Sequence, residues 1–259
     1  MRALATLYEF DTNEGNDEEA MKIYLKLGDK QVFKMLRKKT SMMRRIDHLI
    51  VDLANLDQED AVKLFVEFIE EINVKTVTYK LEYHEEHLFK YLQALHAKHD
   101  DQFPDDSYRK MVELYIKYDV SNLLKFLEKS SEKIDLDFSL EQCDLHGLID
   151  ERIFLLGQMG RGREALDLIV KELGEEAGNR AVEFCKKQNN PELWDILIDS
   201  SIDKPSHIIL LLNNVGTHIE PVKLVEKIQP GLRIDNLKDS LRQILLDYSM
   251  RVELQVGNI

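Results

Sequence analysis

The sequence contains little cysteine, which limits the cross-linked structures that it can form. Its 259 residues include two cysteines, Cys143 and Cys185, and no second pair lies near either of them. Two such distant thiols cannot build a disulfide framework or a zinc ribbon. We therefore expect two free, buried thiols in a protein of the reducing cytosol.

Long apolar runs are also missing. The most apolar run, IILLL, covers only residues 208–212, whereas a membrane-spanning helix needs about 18 apolar residues. Residues 1–20 contain no apolar segment typical of a secretory signal. The sequence thus predicts a cytoplasmic protein without a transmembrane segment, associated with membranes peripherally at most.

Positive charge is in deficit, because 35 Lys and Arg residues stand against 48 Asp and Glu residues and give a net charge of −13. This argues against a nucleic-acid partner, since neutralising phosphates requires a basic surface. The exception is KMLRKKTSMMRR, residues 34–45, which concentrates six cations. We interpret this run as a solvated helix end, with contact to phosphoinositide or to an acidic partner as the alternative.

Proline is scarce too, and all five prolines lie at breaks between segments of helical periodicity. In NNPEL, residues 189–193, Asn190 can cap a helix whose first position is Pro191. The periodic segments predict about fourteen to sixteen helices of roughly 10–16 residues each. Only TVTYKLEY, residues 76–83, alternates like a strand, and its helical neighbours favour helix or loop there.

The segments resemble one another when they are aligned on a turn residue. Bulky or apolar residues recur five and eight positions after each turn, on one face of the second helix of a hairpin. A helical hairpin cannot bury its own apolar faces, but stacked hairpins can. We therefore predict an all-α fold, an α-solenoid of stacked helical hairpins, with a compact helical globule as the alternative. The structural repeat positions are Gly28, Phe33, Leu36, Asp119, Leu124, Leu127, Gly160, Ala165, Leu168, Asn189, Trp194 and Leu197.

Histidines near the middle of the chain are the best candidate metal ligands. In YHEEHLFKYLQALHAKHDD, residues 83–101, His84 and His87 are three apart, as are His96 and His99. Two histidines on one helix face can bind zinc, but no third ligand is fixed here. We therefore expect exposed histidines on a polar face and no metal site.

The glycines of GQMGRGRE, residues 157–164, lack the strand and the G-x-G-x-x-G order of a phosphate-binding loop. We expect Gly160 to end one helix with positive φ and Gly162 to start the next. No serine lies in a G-x-S-x-G turn. We predict no catalytic residues, no cofactor and no enzymatic activity, although a helical-repeat enzyme with a convergent polar pocket stays open.

Several segments carry a family resemblance: VELYIKYDVSNLLKFL at 112–127, LLGQMGRGREALDLI at 155–169, residues 180–228 and PGLRIDNLKDSLRQILLDY at 230–248. They resemble the clathrin heavy chain repeat region of a family of vacuolar sorting proteins, subunits of the HOPS endolysosomal tethering complex. The first hundred residues are similar more loosely. Residues 1–259 are thus expected to form a single α-solenoid domain, excised from a longer chain with an N-terminal β-propeller and a C-terminal RING module.

The resemblance implies a scaffold of a membrane-tethering complex on late endosome and lysosome (vacuole) membranes, acting through protein–protein contacts along the solenoid. The implied partners are other tethering-complex subunits, with adaptor or Rab-linked proteins contacted mainly through the domains outside this sequence. The alternative is a self-assembling, clathrin-like coat module for adaptor-linked carriers.

Overall fold

Amphipathic α-helices make up most of the chain. The computed structural model describes residues 1, 14–172, 176–201, 205–214, 221–228, 234, 237–239 and 241–242. Within these residues there are fifteen α-helices with defined bounds, residues 237–239 and 241–242 are also helical, and there is no β-strand. The predicted all-α solenoid class is confirmed, and the number of helices agrees with the prediction.

The chain divides into two compact units, Met1–Asp135 and Leu136–Ile259, here called the N-terminal and the C-terminal unit. The prediction that residues 1–259 form a single domain stays a prediction. The N-terminal unit contains α1 Glu14–Lys26, α2 Gln31–Lys38, α3 Ile50–Leu56, α4 Gln58–Glu67, α5 Val74–Leu81, α6 Glu85–Lys98, α7 Ser107–Tyr118 and α8 Leu123–Lys129. Three 3₁₀-helices accompany them: Thr40–His48, Asp100–Gln102 and Val120–Asn122.

The C-terminal unit continues the series of short helices. It contains α9 Leu136–Leu145, α10 Ile149–Gln158, α11 Gly162–Glu172, α12 Ala177–Gln188, α13 Pro191–Ser201, α14 Pro205–Asn214 and α15 Pro221–Lys227. The described helices of both units have from 7 to 14 residues, so several are shorter than predicted. In α4, for example, apolar residues at helical spacing continue beyond Glu67, but residues 68–71 form turns.

Some helices begin at a side chain that caps their first turn. The Asp57 carboxylate accepts a hydrogen bond of 3.0 Å from the Asp60 amide at the start of α4. Asn190 Oδ1 accepts one of 3.0 Å from the Glu192 amide, and Pro191 occupies the first position of α13. The predicted cap of α13 is therefore confirmed.

Helices end repeatedly at a residue with positive φ, which satisfies their last carbonyl groups. Gly28, Gly147 and Gly160 have φ of 64°, 67° and 72°. After each glycine the next amide donates to a carbonyl five residues earlier, as in Arg161 to Leu156 at 2.9 Å. Asn189, with φ of 49°, ends α12 in the same left-handed region. The predicted end of a helix at Gly160 is confirmed.

The repeat positions fall mostly in the core. Five residues after the turn, Phe33, Ala165 and Trp194 are buried, whereas Leu124 is half-buried and its neighbour Leu123 is buried instead. Asp119 differs from the other turn residues because it has φ of −157° and leads into a 3₁₀ turn. Eight residues after the turn, Leu36, Leu127 and Leu197 are buried and Leu168 is half-buried. That these positions form one repeating unit stays a prediction.

Helices pack against their neighbours in the chain and against the helix after next. In the N-terminal unit α2, α4 and α6 pack in one row, and α1, α3 and α5 in a second row. In the C-terminal unit α11 packs against α13, and α12 against α14. Among the described α-helices the extensive contacts reach no further along the chain than the helix after next, and the 3₁₀-helix Thr40–His48 also contacts α5. This is the contact pattern of stacked helical hairpins.

The apolar run at residues 208–212 belongs to α14, which starts at Pro205. Ile208, Leu211 and Leu212 are buried in the core of the C-terminal unit, and Ile209 and Leu210 are half-buried against it. The helical spacing of Ile208, Leu211 and Leu212 continues to Val215 and predicts that Gly216 ends the helix, but Val215 and Gly216 lie outside the described residues. None of the described helices is long and apolar enough to cross a membrane.

Candidate interaction surfaces

His96 is the most constrained polar group of the N-terminal unit, and it corrects the prediction of exposed histidines. It is 6% exposed, and the centroid of its ring lies 5.2 Å from those of Phe103 and Phe126. Nε2 lies 3.0 Å from Ser130 Oγ and 3.1 Å from Asp100 Oδ1. Burial lowers the pKa of His96, with Lys129 acting in the same direction.

The sequence contained a signal for this burial. His96 continues the apolar stripe of α6, because Phe89 and Leu92 precede it at the spacing of one helix face. The polar partners could not be read from that spacing, since Ser130 is 34 residues away along the chain. His96 thus joins α6 to the chain that follows α8.

The four candidate metal ligands are not brought together. His84 occupies the position before the first residue of α6, and His99 the position after its last residue. At the first end, the rings of His84 and His87 lie 6.2 Å apart, and His87 Nε2 is 3.1 Å from Asn55 Oδ1. No group of three or more potential metal ligands occurs in the described part of the chain.

The basic run 34–45 covers the end of α2 and part of the 3₁₀-helix that follows. Arg37 and Lys38 lie in the last turn of α2, where cations favour the helix dipole. Arg37 Nε lies 3.1 Å from Glu67 Oε2, and Lys39 forms an ion pair with Asp17. These contacts fit the interpretation as a solvated helix end.

The glycines at 157 and 162 have a role in packing that the spacing did not reveal. A Cβ atom at Gly162 would lie 2.7 Å from Leu193 Cδ2 on α13, and one at Gly157 would lie 2.5 Å from Gln188 Nε2 on α12. In the same way, a Cβ atom at Gly178 would lie 3.0 Å from Leu210 Cδ2 on α14. Each glycine therefore accommodates a side chain of the helix after next.

The two cysteines are buried and free, as predicted. Burial raises the pKa of each thiol to about 12, and for Cys143 the nearby Glu151 acts in the same direction. A thiol of such high pKa is almost wholly protonated at neutral pH and is a poor nucleophile.

One open groove, here called the tyrosine groove, lies between α5, α6 and α7. It has a volume of about 430 Å³, and its apolar wall comes from Leu88, Leu92 and Pro104. Tyr79, on its rim, is 70% exposed. Beside it, hydrogen bonds from Lys117 and Lys110 lower the pKa of Glu85 to about 2.

A second and larger groove, here called the acidic groove, lies between α9, α10 and α11. Its volume is about 700 Å³. The lining residues recur at one-face spacing on each helix, for example Asp137, Leu140, Glu141 and Asp144 on α9. The remaining lining residues are Arg152, Leu156, Arg161, Glu164, Asp167, Leu168, Lys171 and Glu172.

Comparison with known proteins points to one family over nearly the whole chain. The model of the Vps41 TPR-like region matches residues 1–226. The chain is 39% identical to the human vacuolar protein sorting-associated protein 41 homolog over 257 residues, 99% of this chain and 29% of that protein. The Arabidopsis thaliana homolog is 32% identical over 274 residues, 98% of this chain and 27% of that protein.

The similarity extends to fungi, but there it covers less of the chain. The Schizosaccharomyces pombe vacuolar protein sorting-associated protein 41 is 35% identical over 143 residues, 55% of this chain and 16% of that protein. No solved structure matches the chain significantly. The chain spans less than a third of the length of the curated relatives that it matches.

Proposed function

The chain belongs to the Vps41 family, of which it forms the TPR-like region, and from this premise we propose that it is a scaffold of a membrane-tethering complex. The complex is the HOPS complex, which acts in endosome-to-lysosome (vacuole) trafficking and fusion. The scaffold is non-enzymatic, is located peripherally on these membranes and contacts the other subunits of the complex.

The observation that carries this proposal is the stacking of helices within each unit, on neighbours in the chain and, among α1–α6 and α11–α14, on the helix after next. Helical repeats that stack on their neighbours leave edges exposed, and partners can bind along these edges. The surface suits such contacts, because it offers two open grooves and exposed tyrosines. Tyrosine is among the side chains enriched at protein interfaces.

The absence of catalysis is part of the proposal, and the site chemistry supports it. The two thiols are buried and have a raised pKa, so neither is an activated nucleophile. The buried His96 faces Ser130 from within an aromatic cluster and lies in neither groove. We propose accordingly that the described surface binds partners and does not transform them.

The test uses the full-length family protein, assembled into the tethering complex with and without residues 14–228. Clustering of vesicles by the reconstituted complex is followed by light scattering. We expect the deletion to abolish clustering while the remaining parts still bind their membrane and their partner subunits. Clustering that persists unchanged in the deleted complex would contradict the scaffold role.

The coat-like alternative is distinguished by sedimentation of the same full-length protein without its partner subunits. A scaffold that acts within the complex stays a monomer as its concentration rises. A self-assembling coat module forms larger species in the same series.

A further inference from the structure

The acidic groove lies between α9 and α11, two helices that are next but one to each other in the chain. Further along the C-terminal unit, α11 packs extensively against α13, and α12 against α14. The corresponding pair α9 and α11 is not among the described helices in extensive contact, and a groove of about 700 Å³ separates them. Two helix faces thus line an open channel with α10 as its floor.

The channel has an apolar stripe along its length. Leu140 of α9 and Leu168 of α11 are half-buried, and Leu156 of α10 is almost fully buried between them. Leu140 and Leu168 pack against the core of the unit, so this stripe is a continuation of the core towards solvent. Apolar side chains at helical spacing on another helix would complete it.

The rim of the channel carries an excess of carboxylates. Six acidic and three basic side chains line it. Arg152 pairs with Asp144 at 2.7 Å, and Arg161 pairs with Glu164 at 2.6 Å. Subtracting these two pairs leaves four carboxylates and one cation without an ion pair among the described residues, namely Asp137, Glu141, Asp167, Glu172 and Lys171.

From this geometry we propose that the acidic groove binds a cationic amphipathic α-helix of a partner protein, which takes the place of a helix missing from the row of α9 and α11. Its apolar face covers the stripe formed by Leu140, Leu156 and Leu168. Its lysines and arginines face the free carboxylates on both rims. An acidic or neutral helix would leave these carboxylates without a counter-charge.

The proposal deepens the scaffold function and rests on it in one respect, since it assigns one of the contacts that a scaffold makes. Its test needs neither membranes nor the tethering complex. Loss of helix binding would overturn the groove assignment and leave the vesicle-clustering result standing. Failure of clustering would leave the binding measurement intact.

The probe is a fluorescent synthetic peptide of about 18 residues, long enough to form a helix. It has leucines at i, i+3, i+4 and i+7 and lysine or arginine on its other face. Anisotropy is measured with the whole 259-residue chain. A second peptide has glutamate in place of each cation, and a third has the same composition as the first without the helical spacing.

We expect saturable binding of the cationic peptide only, with an affinity that falls as salt is added. Glu141→Lys combined with Asp167→Lys should weaken it about tenfold, because attraction to two exposed carboxylates becomes repulsion. Glu183→Lys combined with Asp195→Lys is the matched control: both residues are exposed on α12 and α13 outside the groove, and net charge changes equally. Far-UV circular dichroism checks that both variants fold.

Three results would overturn the proposal: no saturable binding of the cationic peptide, equal binding of the peptide without helical spacing, or equal weakening by both pairs of substitutions. The last would show attraction to the net charge of the chain and not to the groove. A cationic peptide that binds the wild type and the control alike, and the groove variant weakly, supports the proposal.

Discussion

The two units stack their helices by opposite means. In the N-terminal unit aromatic rings fill the space between helices: Phe126 lies 4.8 Å from Tyr115 and 5.2 Å from His96 between ring centroids. In the C-terminal unit glycine makes room for a neighbouring side chain, as Gly162 does for Leu193. The same stacking of a helix on its neighbours is thus reached by added bulk in one unit and by missing bulk in the other.

This difference predicts which substitutions each unit tolerates. A gap filled by a ring becomes a cavity when the ring is removed, and the cost grows with the volume left empty. A close approach at glycine becomes a clash when a side chain is added, and the neighbour must move. The N-terminal unit should therefore be sensitive to truncation and the C-terminal unit to enlargement.

The largest effect is expected from Phe126→Ala in the N-terminal unit. The ring is almost fully buried and contacts three other rings, so its loss should lower the free energy of unfolding by about 3–5 kcal/mol. Urea denaturation followed by far-UV circular dichroism measures this. Tyr79→Ala removes an aromatic side chain that is 70% exposed and should change stability by no more than about 0.5 kcal/mol.

The single tryptophan makes this experiment more informative. Trp194 is buried in the C-terminal unit, so its fluorescence follows the unfolding of that unit alone. Phe126→Ala should shift the urea midpoint measured by circular dichroism. If it leaves the midpoint measured by Trp194 fluorescence unchanged, the two units unfold separately. If Phe126→Ala lowers the free energy of unfolding by no more than Tyr79→Ala does, the proposal that aromatic rings hold the helices of the N-terminal unit together is wrong.

A smaller effect is expected from Gly162→Leu in the C-terminal unit. Even its Cβ would lie within 2.9 Å of both methyl carbons of Leu193, so overpacking should cost about 1–3 kcal/mol. Arg163→Leu places the same side chain one position further on the exposed face and should be nearly neutral. Both are measured by urea denaturation with Trp194 fluorescence.

A compensating substitution isolates the contact. Leu193→Ala makes room for the new side chain. Gly162→Leu should therefore lower the free energy of unfolding less in the Leu193→Ala variant than in the wild type. Strict additivity of the two costs would show that the Gly162–Leu193 approach does not limit the packing of α11 on α13.

The helices were predictable because their signals are local. Pro191 and Asn190 mark the start of α13, and Gly160 marks the end of α10 within the few residues that form each motif. The family was predictable for a related reason, since residues 112–127 and 155–169 retain enough of its sequence. Periodicity also placed Trp194 in the core.

The surfaces were not predictable, because they depend on which helix covers which face. The sequence shows that Leu140 belongs to an apolar face of α9 and Leu168 to one of α11. It does not show that a channel separates these two faces. The contact of Gly162 with Leu193 depends in the same way on the path of α13. His96 was misjudged as exposed because its sequence neighbours Lys98 and Asp100 are polar, whereas its burial comes from chain that follows α8.

The smallest effect is expected from the titration of His96, the polar group within the aromatic cluster. It tests whether the cluster is sensitive to charge as well as to volume. Burial lowers the pKa of His96 below its usual 6.5, while Asp100 opposes the shift and Lys129 and Lys133 add to it. The unfolded chain therefore takes up this proton first, and stability falls as pH decreases from about 6.5 towards the pKa in the folded state.

His96→Gln should remove this slope, which is at most about 1.4 kcal/mol per pH unit. His99→Gln, at the end of the same helix, is the control and should retain it. His87, whose pKa burial also lowers, leaves a residual slope of the same sign in both variants. Denaturation midpoints measured from pH 8 to about pH 5 stay above the range in which free carboxylates titrate. Equal slopes in the wild type and in His96→Gln would mean that the folded cluster accepts the proton as readily as water does, and the N-terminal unit would then be sensitive to lost volume alone.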